Sequence, residues 1–565
     1  MSGSRKQTES APKKKTALPV IITISVIAAV LLIGAVAAEV IDTRRANTEV
    51  LSAEEYFSGG GKGLAVIRDN ELSAADAFCD DGQVYVSTDW LKTLNSRFYY
   101  DAAEKLLIYT VPEGLLQADA GTQMDGRQVL RFVGNTAYVY LPYAAAQTDM
   151  EWELIRDPDR ILIRTDFSNR QTVDVKEGAT LRESASNRAK ILLQPEEGTV
   201  LTLLERDSTW AKAATADGYI GYIRCDQLGT VKTVKSDHKS TEQVFPMVST
   251  RQGICLVWDM ISVWDDNAHL EEYMAKASGV NVISPTWLRI SDSEGHFDSL
   301  ASSSYVERAH AMGLQVWILV NNMDNEIYGE ALTQLLNRTS TRQTLVVNLV
   351  AEALSCGADG INVDIESLPS AAGDGYIQFI RELSVTCHAH GLVLSVDNYV
   401  PSPWTSHYHR AEQAVMADYV IVMGYDEHYA GSEPGSTASL GFVVKGVKDT
   451  LEEVPASKVI NAVPFYSRLW RGAGNSLTSS VLSMAAIRNY IVIYDLSPIW
   501  DAQCGQGYAE FSLGSTTARL WIEDNESMAT RLTALQDYHL AGLAAWRLGL
   551  ENDDIWPVFE NYFRN

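Results

Sequence analysis

The segment Asp359-Gly-Ile-Asn-Val-Asp-Ile-Glu366 places an amide and two carboxyl groups at alternate positions. In a β-strand neighbouring side chains point to opposite faces, so Asn362, Asp364 and Glu366 share one face and Ile361, Val363 and Ile365 the other. Helix-like segments flank this strand and more apolar strands follow it, which predicts a buried parallel sheet. Two carboxyl groups in such a sheet carry a large desolvation cost unless they are fully paired or do chemistry. The chemistry suited to them is proton transfer, with one carboxyl held protonated by apolar surroundings and its neighbour's charge.

The elements that must position these groups start at Gly253. Apolar strands are expected at Ile254–Trp258, Val280–Ser284, Gln315–Val320, Gly360–Glu366, Val393–Asp397, Tyr419–Tyr425, Val459–Phe465 and Gly542–Trp546. Amphipathic stretches such as Gln343–Ala353 and Gly375–His388 lie between them. Eight strand-then-helix units predict a (β/α)8 TIM barrel over 247–565, with a small α+β insertion at about 471–540. A doubly wound sheet is the alternative, disfavoured by eight units and the lack of a Gly-rich phosphate loop. Barrel sites lie at the carboxyl ends of the strands. Asp364 and Glu366, Asp397 and Asn398, Tyr425 and Asp426, Tyr466 and Trp546 all fall there. One such residue is easily explained by packing; their convergence is not.

Four motifs in order make 245–565 resemble the family 18 glycoside hydrolases, the chitinase-like barrel enzymes. The family's D-x-x-D-x-D-x-E signature falls on Asp359, Asn362, Asp364 and Glu366, and its M-x-Y-D on Met423, Tyr425 and Asp426. Pro464-Phe-Tyr466 matches the seventh strand and Trp546 the final tryptophan. The resemblance implies that Glu366 protonates the leaving oxygen while the sugar's own acetamido group attacks the anomeric carbon, giving an oxazolinium ion. It implies that Asp364 orients the acetamide, Tyr425 donates to its oxygen, and Trp546 floors the pocket. Asp359, Asn362, Asn398, Met423, Asp426 and Tyr466 complete the expected substrate-binding set. No metal and no cofactor is implied. One position departs from the signature: Asn362 replaces an inner aspartate, and an amide can bond to Asp364 but cannot take its proton.

The implied substrate is peptidoglycan, spore-cortex glycan included, or a chitin-like glycan. Self-attack needs a 2-acetamido group, which muramic δ-lactam lacks, so N-acetylglucosamine is expected at the cleaved carbon. Two other readings stand beside this one. One is a non-catalytic lectin on the same barrel, opposed by the presence of Glu366; the other is a wall-adhesion scaffold.

A length of 565 residues predicts three or four domains, and 46% hydrophobic with 21% charged residues is ordinary for folded protein. A net charge of −26 weighs against nucleic acid as a partner. The six cysteines are widely spaced, with no C-x-x-C pair to suggest zinc, and read as small buried hydrophobes, with a disulfide framework as the alternative. Ala17 to Ala38 carries no charge and is long enough to cross a hydrocarbon core of about 30 Å. Arg5, Lys6 and Lys13–Lys15 precede it, so a cytoplasmic tail (1–16), a transmembrane helix (17–40) and an extracytoplasmic remainder are expected. A cleaved signal peptide is the competing reading.

Residues 55–166 resemble the metal-free copper-amine-oxidase N-terminal module of bacterial surface proteins, on Asp81-Gly-Gln-Val-Tyr-Val86 and Tyr100–Ile108. They are expected to form a stalk. Residues 171–232, with Gly-punctuated short strands, resemble a bacterial SH3-like domain, which implies a cell-wall ligand. Trp210 and Tyr219 either form a ligand platform or fill its core. Residues 233–246 read as a polar linker.

Overall fold

Apolar residues at every second position of the strands after Ile254 are buried from both sides. The computed structural model, which describes residues 33, 46–58, 64–241, 243–473 and 476–564, shows how. Eight strands close into a parallel barrel: β1 (Ile254–Asp259), β2 (Val282–Pro285), β3 (Gln315–Asn321), β4 (Gly360–Asp364), β5 (Val393–Tyr399), β6 (Tyr419–Met423), β7 (Val459–Pro464) and β8 (Gly542–Trp546). β8 pairs with both β1 and β7, and β2 pairs with both β1 and β3. The doubly wound alternative is thereby set aside.

The strand period explains the two cores. Ile254, Leu256, Trp258, Trp317, Leu319, Tyr419 and Ile421 point inward and fill the barrel. The alternate residues, among them Val257, Ile318, Ile361, Val363 and Val396, pack outward against the helices. Towards the carboxyl ends the inward row turns polar, with Asn321, Asp364 and Asp397 all buried. Close strand approach excludes a side chain at Gly542, where a Cβ would stand 2.0 Å from the Ile254 carbonyl oxygen.

Several strand ends differ from expectation. β2 starts at Val282 because the Asn281 side chain serves its neighbours, accepting from the Cys255 N–H at 3.0 Å and donating to the Gly253 carbonyl at 2.7 Å. β4 stops at Asp364 and β6 at Met423 because the rim turns outward there, with Ser367 and Asp426 at φ of 52° and 56°. Between β7 and β8, where an insertion was expected at about 471–540, stands a five-stranded antiparallel sheet. Its order is Ser476–Ser483, Tyr466–Ala473, Thr516–Ile522, Gln506–Leu513, Ile499–Asp501, with helix Met484–Ile493 alongside.

Contacts divide the chain into two compact units, Met1–Trp90 with Arg131–Glu242, and Leu91–Leu130 with Gln243–Asn565. The middle of the expected 55–166 stalk thus belongs with the barrel. Its three-stranded sheet (Phe98–Asp101, Leu106–Val111, Gly114–Ala118) clasps two outer helices, Thr339–Cys356 and Gly373–Ala389. Asp101 accepts from the Thr339 N–H at 2.6 Å and the Thr339 hydroxyl at 2.7 Å, satisfying an orphan donor at that helix start. The Tyr99 hydroxyl donates to the Asn337 carbonyl at 2.9 Å. Arg97 and Arg381 share the Glu412 carboxylate, each at 2.9 Å. The chain carries too little patterning over 91–130 to announce this attachment, which rests on single polar contacts.

In the other unit, two four-stranded sheets accompany a seven-stranded antiparallel sheet spanning Arg170–Val234. Tyr219 is no open platform there: its ring stacks on Tyr56 at 5.2 Å and contacts Phe57 at 4.8 Å. The 233–246 segment is anchored within each unit, through His238 to Asp149 at 2.8 Å in one and through buried Phe245 in the other. The expected tail and membrane-spanning segment lie outside the described residues, Ile33 apart. Among the described residues no helix is long and apolar enough to cross a membrane.

Candidate active site

The rim turn after β4 carries Glu366, and Asn322 fixes it from the end of β3. The Glu366 N–H donates to Asn322 Oδ1 at 2.9 Å, and Asn322 Nδ2 donates to the Glu366 carbonyl at 3.1 Å. The Tyr399 hydroxyl, at the end of β5, donates to Glu366 Oε2, while the Ser367 N–H donates to that phenol oxygen at 3.3 Å. Burial raises the Glu366 carboxyl above its ordinary pKa; the Tyr399 hydrogen bond lowers it, and the Asp426 charge raises it. A half-buried, tethered carboxyl inclined to keep its proton is equipped as an acid.

Asp364 lies one strand step deeper and is 5% exposed. Burial pushes its carboxyl well above the usual range, and Glu366, Asp397 and Asp324 push the same way. Its Oδ1 has no hydrogen-bond partner among the described residues. Tyr425, just past β6, has a phenol raised well above its ordinary value by burial, so it stays a donor. Tyr466 crosses Tyr425 edge to face at 6.4 Å and donates to Asp426 Oδ1 at 2.8 Å. Arg468 Nη2 approaches the same oxygen at 3.4 Å. Trp546 stands at the end of β8, its ring 5.7 Å from that of Trp258. Met423 is buried at the end of β6, on the inward row of Tyr419 and Ile421.

Asn362 lies fully buried below Asp364, but its amide does not engage it. Oδ1 accepts from Trp258 Nε1 at 2.9 Å and the Ser284 hydroxyl at 3.2 Å. Nδ2 donates to the Ser395 hydroxyl at 3.0 Å and Asp397 Oδ1 at 2.9 Å. Among the described residues, no group of His, Cys, Asp and Glu is arranged to hold a metal ion.

Residues 275–551 match the family described as Glycosyl hydrolases family 18. Residues 275–551 are a family 18 domain. The family 18 barrel is 28% identical over 230 residues to the glycosylase YdhD of Bacillus subtilis, covering 39% of this chain and 54% of that protein. It is 25% identical over 267 residues to the cortical fragment-lytic enzyme of Bacillus subtilis, covering 44% and 59%. The chain thus spans between half and three fifths of the length of these two relatives. A chitinase from Chromobacterium violaceum shares the fold, with a TM-score of 0.50 and 22% identity over 55% of this chain and 99% of that one.

The family 18 barrel brings Asp364, Glu366, Tyr425, Asp426, Tyr466, Met423 and Trp546 to one end, with Asn362 beneath. Two expected substrate ligands are elsewhere. Asp359 sits before β4, at the opposite end, where its Oδ2 accepts from the Val316 N–H at 2.7 Å and pairs with His310 Nε2 at 2.8 Å. It pins β3 to β4. Asn398 points outward, exchanging amide hydrogen bonds with Gln413 at 2.7 and 3.1 Å. Tyr399, its neighbour, holds the inward position instead. The signal for Tyr399 was the alternation itself, since it lies two residues past Asp397 on the same face.

Proposed function

We propose that this chain is a glycoside hydrolase cleaving β-N-acetylglucosaminide bonds in peptidoglycan or a chitin-like glycan, with the sugar's acetamide as nucleophile. The observation that carries this is the placement of Asp364 and Glu366 two positions apart at the barrel mouth, with Glu366 tethered by Tyr399; burial inclines both carboxyls towards the protonated state. Glu366 supplies the proton to the leaving oxygen. Asp364 meets the acetamido N–H, and Tyr425 donates to the acetamido oxygen as positive charge develops. The names of the relatives, a glycosylase and a cortical fragment-lytic enzyme, support a bacterial wall or cortex glycan.

The 17–40 segment serves as a membrane anchor, with the barrel outside the cell. Residues 171–232 act as an SH3-like module towards a wall ligand; 55–166 resembles a copper-amine-oxidase N-terminal module.

The test digests purified peptidoglycan, cortex and chitin oligosaccharides with the full chain and analyses the new reducing ends by mass spectrometry and proton NMR. Reducing-end N-acetylglucosamine with retained β configuration is expected. Inverted products, or sugar binding without cleavage, would overturn it; the second outcome points to a lectin.

A further inference from the structure

The amide at position 362 leaves Asp364 without the partner that an aspartate there would provide. All the bonds Asn362 makes are committed elsewhere: two to donors on β1 and β2, two to acceptors on β5. The β4–β5 register, Asn362 opposite Ser395 and Val363 opposite Val396, brings Asp364 level with Asp397. Asp397 is 2% exposed, inward-facing, and, among the described residues, held by the Asn362 amide through Oδ1.

We propose that Asp397 is the proton-holding partner of Asp364, the inner acid having moved from the fourth strand to the fifth. It is a positioning residue and does not touch substrate. The proposal rests on the glycosidase reading above and deepens it.

Two carboxyl groups side by side in a buried polar layer cannot both be charged at low cost, so the pair retains one proton. When the acetamido nitrogen becomes positive, that proton resides on Asp397 and Asp364 is the carboxylate facing the N–H. Glu366 loses its own proton to the leaving oxygen and regains one from the water that opens the oxazolinium ring, so the pair's proton count is unchanged over the cycle. The groups facing the pair are Glu366 from the rim of β4, Asp324 from the loop after β3, and Tyr425 from β6. Tyr376 and Tyr408 lie behind it in the outer layer. Burial and the Glu366 charge push both carboxyls up, in keeping with this.

The test compares Asp397→Asn, Asn362→Asp/Asp397→Asn and the unaltered full chain. Asparagine at 397 keeps an acceptor for the Asn362 amide, so folding is spared. Asp397→Asn should lower kcat about 10- to 100-fold, at the low end of what a misplaced proton costs, with KM changed by less than about threefold. Returning the acid to position 362 should recover most of that loss. An infrared pH titration of protonated carboxyl bands gives a readout without substrate: in the difference between the unaltered chain and Asp397→Asn, one band that persists above neutral pH is lost while those of the other buried carboxyls stay. Unchanged kcat in Asp397→Asn, no recovery in the double variant, or no band lost in that difference would each overturn the proposal. If the unaltered chain cleaves no glycan, the functional reading fails, and the infrared result still decides the pairing.

Discussion

Tyr399 donates its phenolic proton to Glu366 Oε2, tying the end of the fifth strand to the rim of the fourth. This bond opposes burial, because it favours the charged carboxylate. Removing it therefore raises the Glu366 pKa further. A general acid works only while protonated, so activity is lost as pH climbs through that value. Tyr399→Phe should move the alkaline limb of the kcat profile to higher pH and lower the plateau about tenfold, the worth of one charge-assisted hydrogen bond. A pH-rate series on both proteins checks it; an unmoved limb counts against the tether.

Glu366→Gln keeps the shape of the side chain and removes its proton. Turnover should fall by about 10²–10⁴-fold, while affinity for an oligosaccharide measured by calorimetry stays within about fivefold. Parallel loss of binding would mean that the glutamine had disturbed the cleft.

Asp364 and Asp397 keep a shared proton in the folded chain over a pH range where the unfolded chain has released it, because both carboxyls are raised on folding. Stability from this pair is full below the ordinary carboxylate range and declines as pH rises through the raised values. Asp364→Asn, which mimics the neutral carboxyl, should therefore stabilise the barrel at pH 7, because the cost of holding a titratable carboxyl in a buried site is removed. The gain should shrink as pH falls towards 4. Denaturant unfolding at the two pH values decides it, and a stability gain independent of pH would contradict the assignment.

Asp101 caps the helix starting at Thr339 from a segment far earlier in the chain. Asp101→Ala should cost about 1–2 kcal/mol, as lost caps do, without altering kcat. A fragment starting at residue 243 lacks this sheet altogether and should unfold at lower denaturant than one that includes 91–130. Equal midpoints would show that the clasp contributes nothing.

The barrel was legible because each of its eight strands is a short apolar run, and inward and outward residues alternate without error from Ile361 to Ile365. Asp364, Glu366, Tyr425, Tyr466 and Trp546 could be placed at one end of the barrel because strand ends collect polar and aromatic residues. Asp359 and Asn398 were misplaced for one physical reason. A residue in a motif can serve the ladder or an outer helix as readily as the mouth, and only one position in two on a strand faces inward. The attachment of 91–130 could not be read, because Asp101, Tyr99 and Arg97 act on partners hundreds of residues away and leave no local pattern. The extent of the strands was similarly hidden, being set by side chains such as Asn281 that compete with the backbone.

Trp317 and Tyr419 lie stacked inside the barrel at 5.4 Å, both fully buried near the strand starts. They stopper the lumen from below, which makes the well a dead end. On the glycosidase reading proposed above, a polysaccharide cannot thread through; it must rest across the opening, and every product has to come and go by the door that the polymer itself obstructs.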